Sequence, residues 1–141
     1  MSSVSIQAVS RTFEGHRGQR TQALLPVDFE VRDNDFVTIL GPSGCGKSTL
    51  LRIVAGLDHA SSGRVLLDGV PVEGPGADRG MVFQSYTLFP WLTIEQNIRF
   101  GLRERGMPET LQKERAAYFI AKVGLRGFEQ HFPTQLSGGM Q

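Results

Sequence analysis

Val4, Ile6 and Ala8 alternate with polar neighbours, and Val27, Phe29 and Val31 do the same. This period of two predicts antiparallel strands with one face in water. Between them the polar, glycine-bearing stretch 14–20 reads as a loop, and Asp33-Asn34-Asp35 as a turn in which Asn34 tolerates a left-handed backbone. Residues 36–40 are almost continuously apolar, which predicts a strand buried on both faces. The period then changes: Leu50, Ile53, Val54 and Leu57 fall at helical spacing, with Gly56 as a stop. Ser61-Ser62-Gly63 leads into a strand at 64–67 closed by Asp68-Gly69, the Gly- and Pro-rich stretch 73–80 is a connector, and Met81-Val82-Phe83 predicts a short apolar strand. From Thr93, a candidate N-cap, Ile94, Ile98 and Leu102 repeat every four residues. A second helix starts around Pro108 and carries Leu111, Tyr118, Phe119 and Val123 before Gly124. The expected organisation is a strand-rich α/β core over 1–84, a helical subdomain over 85–135 and a terminal motif at 136–141, with no internal repeats.

Composition changes this picture little. A length of 141 residues suits one domain, and 40% hydrophobic with 21% charged is ordinary for a globular chain. Fifteen Lys and Arg against fourteen Asp and Glu leave a net charge of +1, so no field argues for nucleic acid as a partner. No apolar run is long enough to span a bilayer, and the first residues lack the basic and apolar regions of a secretory signal, so the expected location is the cytoplasm. Cys45 is the single cysteine and can form no internal disulfide; His16, His59 and His131 share no metal-ligand spacing and read as loop or surface residues.

The chemistry concentrates at Gly41-Pro42-Ser43-Gly44-Cys45-Gly46-Lys47-Ser48-Thr49, a GxxxxGK[ST] loop between a strand signal and a helix signal. Glycines let successive N–H groups converge on phosphate oxygens without a Cβ in the way, and a helix opening near Lys47 aims its unpaired N–H groups at the same oxygens. Lys47 adds a point charge for the β/γ-phosphates, and the Ser48 hydroxyl suits Mg²⁺. The pattern predicts ATP or GTP binding. Cys45 reads as tolerated for its small size, with no histidine pattern to make it catalytic.

Two further stretches resemble a known family. Leu136-Ser137-Gly138-Gly139-Met140-Gln141 is similar to the signature motif of the ATP-binding cassette (ABC) ATPases, and Phe83-Gln84 resembles their Q-loop. The resemblance covers the whole chain and implies the P-loop NTPase fold of that family, a mixed sheet plus helical subdomain. More narrowly, Pro75-Gly76-Ala77-Asp78-Arg79-Gly80-Met81-Val82-Phe83-Gln84, then Leu88-Phe89-Pro90-Trp91-Leu92-Thr93 and Asn97, resembles the ATPase subunits of nitrate, sulfonate and taurine importers. That likeness implies ATP and Mg²⁺ as cofactors, transport-coupled ATP hydrolysis, a second cassette, most simply an identical copy, transmembrane permease subunits and, indirectly, a solute-binding protein. The implied place is the inner face of the cell membrane.

The resemblance also implies residue roles. Phe13 would stack on adenine, although a core-facing aromatic at a strand end is an equal reading. Gln84 would touch Mg²⁺ and the attacking water, where the plainer reading is an exposed structural glutamine. Ser137, Gly138, Gly139 and Gln141 would face the nucleotide held by the partner cassette. The cluster 88–92 would receive a helix from the permease or, more plainly, pack inside the helical subdomain.

In the family the Walker B strand, its adjacent glutamate, the D-loop and the switch histidine follow the signature motif. This sequence does not include them, so it is expected to bind nucleotide without turning it over, to leave 36–40 with an unpaired edge, and to be poorly soluble alone. A one-turn helix from Ser137 is too short to form unaided. The competing readings are a non-catalytic ATP-binding module and another P-loop NTPase, a GTPase or small-molecule kinase; against a GTPase, no Asn-Lys-x-Asp occurs.

Overall fold

The computed structural model describes residues 3–15, 18–85 and 87–140, so His16 and Gln141 lie outside the described residues. The chain divides into two compact units, Met1–Val82 and Phe83–Gln141.

In the first unit β1 (Val4–Glu14) and β2 (Arg20–Val31) form an antiparallel hairpin, and β3 (Ser62–Leu67) and β4 (Val70–Pro71) extend the sheet in the order β2-β1-β3-β4. The alternation of Val27, Phe29 and Val31 survives: Val27 and Phe29 pack against the core, and Val31 is half-buried. That of β1 does not run through: Ile6 and Val9 are both buried, whereas Ala8 is exposed. The cause is a bulge. Ala8 adopts φ 46°, its N–H donates to Asp28 Oδ1 at 2.7 Å, and the pairing shifts between Ile6 and Val9, which moves the inward phase by one residue. Asp68 and Gly69 both take positive φ, the primed turn that a two-residue hairpin requires.

One helix, α1 (Lys47–Val54), covers the sheet by burying Leu50 and Ile53 against Ile6, Val9, Leu24 and Val65. It ends as its sequence predicts. Gly56 takes φ 74°, and Leu57 N–H returns to the Arg52 carbonyl at 2.8 Å.

Two expected strands are not formed. Residues 36–40 are irregular, with Phe36 95% and Leu40 88% exposed, and of the five only Ile39 packs on the core. Met81-Val82-Phe83 is likewise irregular, with Val82 exposed. A strand exists only as part of a ladder, and among the described residues neither segment has one. What is present of the expected mixed sheet is its antiparallel portion.

The second unit is built on α2 (Ile94–Glu104) and α3 (Glu109–Lys122), which pack together, followed by a 3-10 turn at Pro133–Gln135. Thr93 caps α2 in a reciprocal box: its Oγ1 accepts from Gln96 N–H and Gln96 Oε1 accepts from Thr93 N–H. The core is Ile94, Ile120 and Leu136, with Leu88, Ile98, Leu125, Phe128 and Met140 around it. The apolar residues singled out on the second helix are not its buried face. Leu111, Tyr118, Phe119 and Val123 are exposed, whereas Gln112, Ala116 and Ile120 are buried. Gln112 can sit inside because it is satisfied, donating to the Met107 carbonyl at 2.7 Å and accepting from Arg99. His131 lies in an irregular segment, as the loop reading has it, but half-buried, with its ring 5.0 Å from that of Phe128.

Asn97 fastens the loop before α2. Its Oδ1 accepts from Phe89 N–H at 2.8 Å, and its Nδ2 reaches the carbonyls of Phe89, Leu92 and Thr93 at 3.0–3.1 Å. Truncation strands several backbone groups at once. Asn97→Ala is expected to cost about 2–4 kcal/mol, measured by denaturant unfolding; a loss below about 0.5 kcal/mol would show that water replaces the clamp freely.

Candidate nucleotide-binding site

The loop 41–46 connects the irregular approach segment to α1, and its shape follows from two left-handed glycines, Gly44 at φ 81° and Gly46 at φ 92°. Gly46 is the N-cap residue of α1, and Leu50 N–H makes the first helical bond to its carbonyl at 2.9 Å. The amides of Lys47, Ser48 and Thr49 therefore have no acceptor within the helix, and no acidic residue occupies the first turn to oppose an anion there. Gly46 rests on β2 so closely that a Cβ would overlap the Ala23 carbonyl oxygen and lie 3.1 Å from Leu24 Cδ1.

Lys47 folds back over the loop. Its Nζ donates to the carbonyls of Gly41 at 2.8 Å and Pro42 at 2.7 Å and lies 3.5 Å from Cys45 Sγ. The cation thus holds the loop closed on itself while staying beside the helix start. Ala23, Gly44, Gly46, Lys47, Ser48 and Thr49 line a small recess of about 150 Å³. Backbone donors, one ammonium and two hydroxyls are a donor set for a polyphosphate, and a loop whose last glycine, Gly46, leaves no room for a Cβ fits that group.

Phe13 lies in the same unit, on β1 opposite Thr21 of β2, three residues before the Leu24 that touches Gly46. It is 40% exposed, so the core-facing reading is not what the structure holds. A groove of about 600 Å³ opens beside it, lined by Arg11, Thr12, Phe13, Glu14, Arg20 and Ser61. A three-residue step along a strand is about 10 Å, which sets Phe13 apart from the loop along β2.

Residues 24–141 match the sequence profile of ABC transporters. The chain belongs to the ABC transporter family. It is 54% identical over 138 residues to an uncharacterized ABC transporter ATP-binding protein of Methanocaldococcus jannaschii, covering 98% of this chain and 51% of that protein. It is 46% identical to the nitrate import ATP-binding protein NrtD of Synechocystis sp., over 98% of this chain and 52% of the relative. It is 48% identical to the taurine import ATP-binding protein TauB of Burkholderia pseudomallei, over all of this chain and 54% of the relative. Among solved structures, a dimeric ATP-binding cassette in a post-hydrolysis state with ADP and Pi superposes with a TM-score of 0.85 at 31% identity, covering 97% of this chain and 64% of that one. The fold is that of an ABC cassette, and the chain spans about half the length of the curated relatives it matches.

The other residues to which the resemblance gave roles belong to the second unit. Gln84 is exposed in an irregular segment, so the strand expected to present it is not there. Leu136 is buried in the helical core, and from it Ser137, Gly138 and Gly139 emerge exposed in a single turn closed by Met140 N–H to the Ser137 carbonyl at 2.9 Å. Gln141 lies outside the described residues. In the cluster 88–92, Trp91 is 69% exposed, while Leu88 packs on the core and Phe89 stacks 4.6 Å from Phe100. Among the described residues no group of acidic, histidine and cysteine side chains is arranged to hold a metal, and no helix is long and apolar enough to cross a membrane.

Sequence reasoning passed over Arg11. Its guanidinium lies 4.6 Å from the centroid of the Phe13 ring and pairs with Asp58 at 2.8 Å, and no motif flags either partner.

Proposed function

We propose that this chain is the ATP-binding part of an importer ATPase, in which binding and hydrolysis of Mg²⁺·ATP drive uptake of an oxyanion such as nitrate, a sulfonate or taurine through a membrane permease. The carrying observation is the 41–49 loop, with left-handed Gly44 and Gly46, a free helix start and Lys47 folded across it. The likeness to nitrate and taurine import ATP-binding proteins supports the cargo class.

In this reading Gly41, Pro42, Ser43, Gly44, Cys45, Gly46, Lys47, Ser48 and Thr49 form the phosphate cradle, with the backbone N–H groups of all but Pro42 and the Lys47 ammonium as donors. Ser48 would offer its hydroxyl to Mg²⁺, whose charge offsets that of the phosphates. Phe13 offers a π-face to the base. The exposed Ser137, Gly138 and Gly139, with Gln141, serve the nucleotide of a second, identical cassette, a role supported by the dimeric state of the superposable structure. The exposed part of the 88–92 cluster is the seat for a permease helix. Such a protein works at the inner face of the membrane, with a solute-binding protein delivering cargo to the permease.

Cells lacking the gene should lose high-affinity uptake of labelled nitrate, taurine or an alkanesulfonate and regain it with the full-length gene. Unchanged uptake of all three would overturn the cargo assignment.

A further inference from the structure

We propose that Arg11 is a positioning residue for the nucleotide base, acting through Phe13. This rests on the reading that Phe13 stacks on adenine. Phe13 is 40% exposed, and a half-exposed ring on a strand ordinarily samples several orientations. Here one face is already taken: the Arg11 guanidinium carbon sits 4.6 Å from the ring centroid, within cation–π range.

The guanidinium is itself tethered. Arg11 Nη2 pairs with Asp58 Oδ1 at 2.8 Å, with the two side chains only 23% and 16% exposed, and the same oxygen accepts the His59 N–H at 2.8 Å. Arg11 Nε is buried without an acceptor, a cost that a side chain free to swing into solvent would not bear. The Asp58 pair therefore fixes the guanidinium where the ring needs it. The strand below is held too, because Ser61 Oγ accepts from Thr12 N–H at 3.0 Å and Ser61 N–H donates to the Ser10 carbonyl at 2.8 Å.

The arrangement is an ordered stack of carboxylate, guanidinium and phenyl ring, and the exposed part of the ring, which borders the groove of about 600 Å³, is what a planar base would meet. Preordering the ring removes a cost that binding would otherwise carry. Arg11 touches no phosphate in this scheme, so its contribution belongs to the base alone.

The test compares ATP with inorganic tripolyphosphate on the full-length protein, for wild type, Arg11→Ala, Phe13→Leu and the double variant. Arg11→Ala is expected to weaken ATP about three- to tenfold and to leave tripolyphosphate unchanged, with no further loss once Phe13 is leucine. Equal weakening of both ligands, the same loss with and without Phe13, or tighter ATP binding would each overturn the proposal, the last by showing that Arg11 occupies the base's face. If Phe13→Leu alone leaves ATP affinity intact, the base-stacking reading itself falls, which is a separable result. Should Arg11→Ala not fold, Asp58→Asn releases the guanidinium at constant volume and is read the same way.

Discussion

Lys47→Ala should abolish saturable binding of Mg²⁺·ATP while leaving the fold in place. The lysine does two things that alanine cannot do. It supplies the one ammonium of the 41–49 loop for the β/γ-phosphates, and it bridges the carbonyls of Gly41 and Pro42, at 2.8 and 2.7 Å, which keeps the loop folded beside the helix start. Charge-assisted hydrogen bonds of this kind are worth about 1.5–3 kcal/mol each, so losing two toward a phosphate weakens binding by more than about a hundredfold. Stability should change little, because Leu50 and Ile53, not Lys47, carry the packing of α1. Titration with labelled ATP, set beside thermal unfolding of the same sample, checks both halves. Retained affinity would place the phosphates elsewhere, and lost affinity with a collapsed melting temperature would make Lys47 a structural clasp. Lys47→Arg keeps the charge but not the compact ammonium, and should recover only part of the affinity.

The elements that the sequence reveals are those whose cause is local. The Thr93 cap, the Gly56 stop, the Asp68-Gly69 turn and the periodicity of α1 need only a few neighbouring residues, and each is found in place. The phosphate loop belongs to the same class, since its glycines and lysine act within one turn of chain. What misleads is whatever depends on a distant partner. Residues 36–40 carry the composition of a buried parallel strand, but composition is no ladder, and the segment stays irregular. Ala8 looks inward by alternation until the bulge anchored on Asp28, a residue of the neighbouring strand, turns it out and brings Val9 in. On α3 the large apolar residues suggest the buried face. The contact instead uses Ala116, small enough for close approach, and Gln112, whose amide finds both partners.

The same division runs through the candidate site. The residues proposed to bind phosphate can be named from the sequence because backbone geometry would fix their job. Asn97 was visible only as part of a likeness, since its value lies in four contacts that exist once the loop has curled round it. Arg11 carried no signal at all, because its partner Asp58 is 47 positions away and the pairing is made by the fold.

Gly46→Ala should be far more damaging than Gly44→Ala, although both glycines stand in the same loop with nearly the same backbone. Each has φ in the left-handed region, at 92° and 81°, so an L-residue at either position carries a conformational cost of about 1–2 kcal/mol. Their surroundings differ. A Cβ on Gly44 meets nothing within 4 Å, whereas one on Gly46 would overlap the Ala23 carbonyl oxygen and press on Leu24 Cδ1. That oxygen belongs to the strand backbone and cannot step aside as a side-chain tip can. Either β2 or the start of α1 must shift, and both are fixed by the core that Leu24, Leu50 and Ile53 share. The cost should exceed about 3 kcal/mol, and because the shift moves the amides of the first helical turn, phosphate affinity should fall with it. Thermal unfolding and ATP titration of the two variants side by side decide the matter. Equal, small losses would mean that the close approach of Gly46 to β2 is incidental; a large loss confined to Gly46 would show that strand and phosphate loop are fitted to each other at the width of one hydrogen atom in place of a methyl.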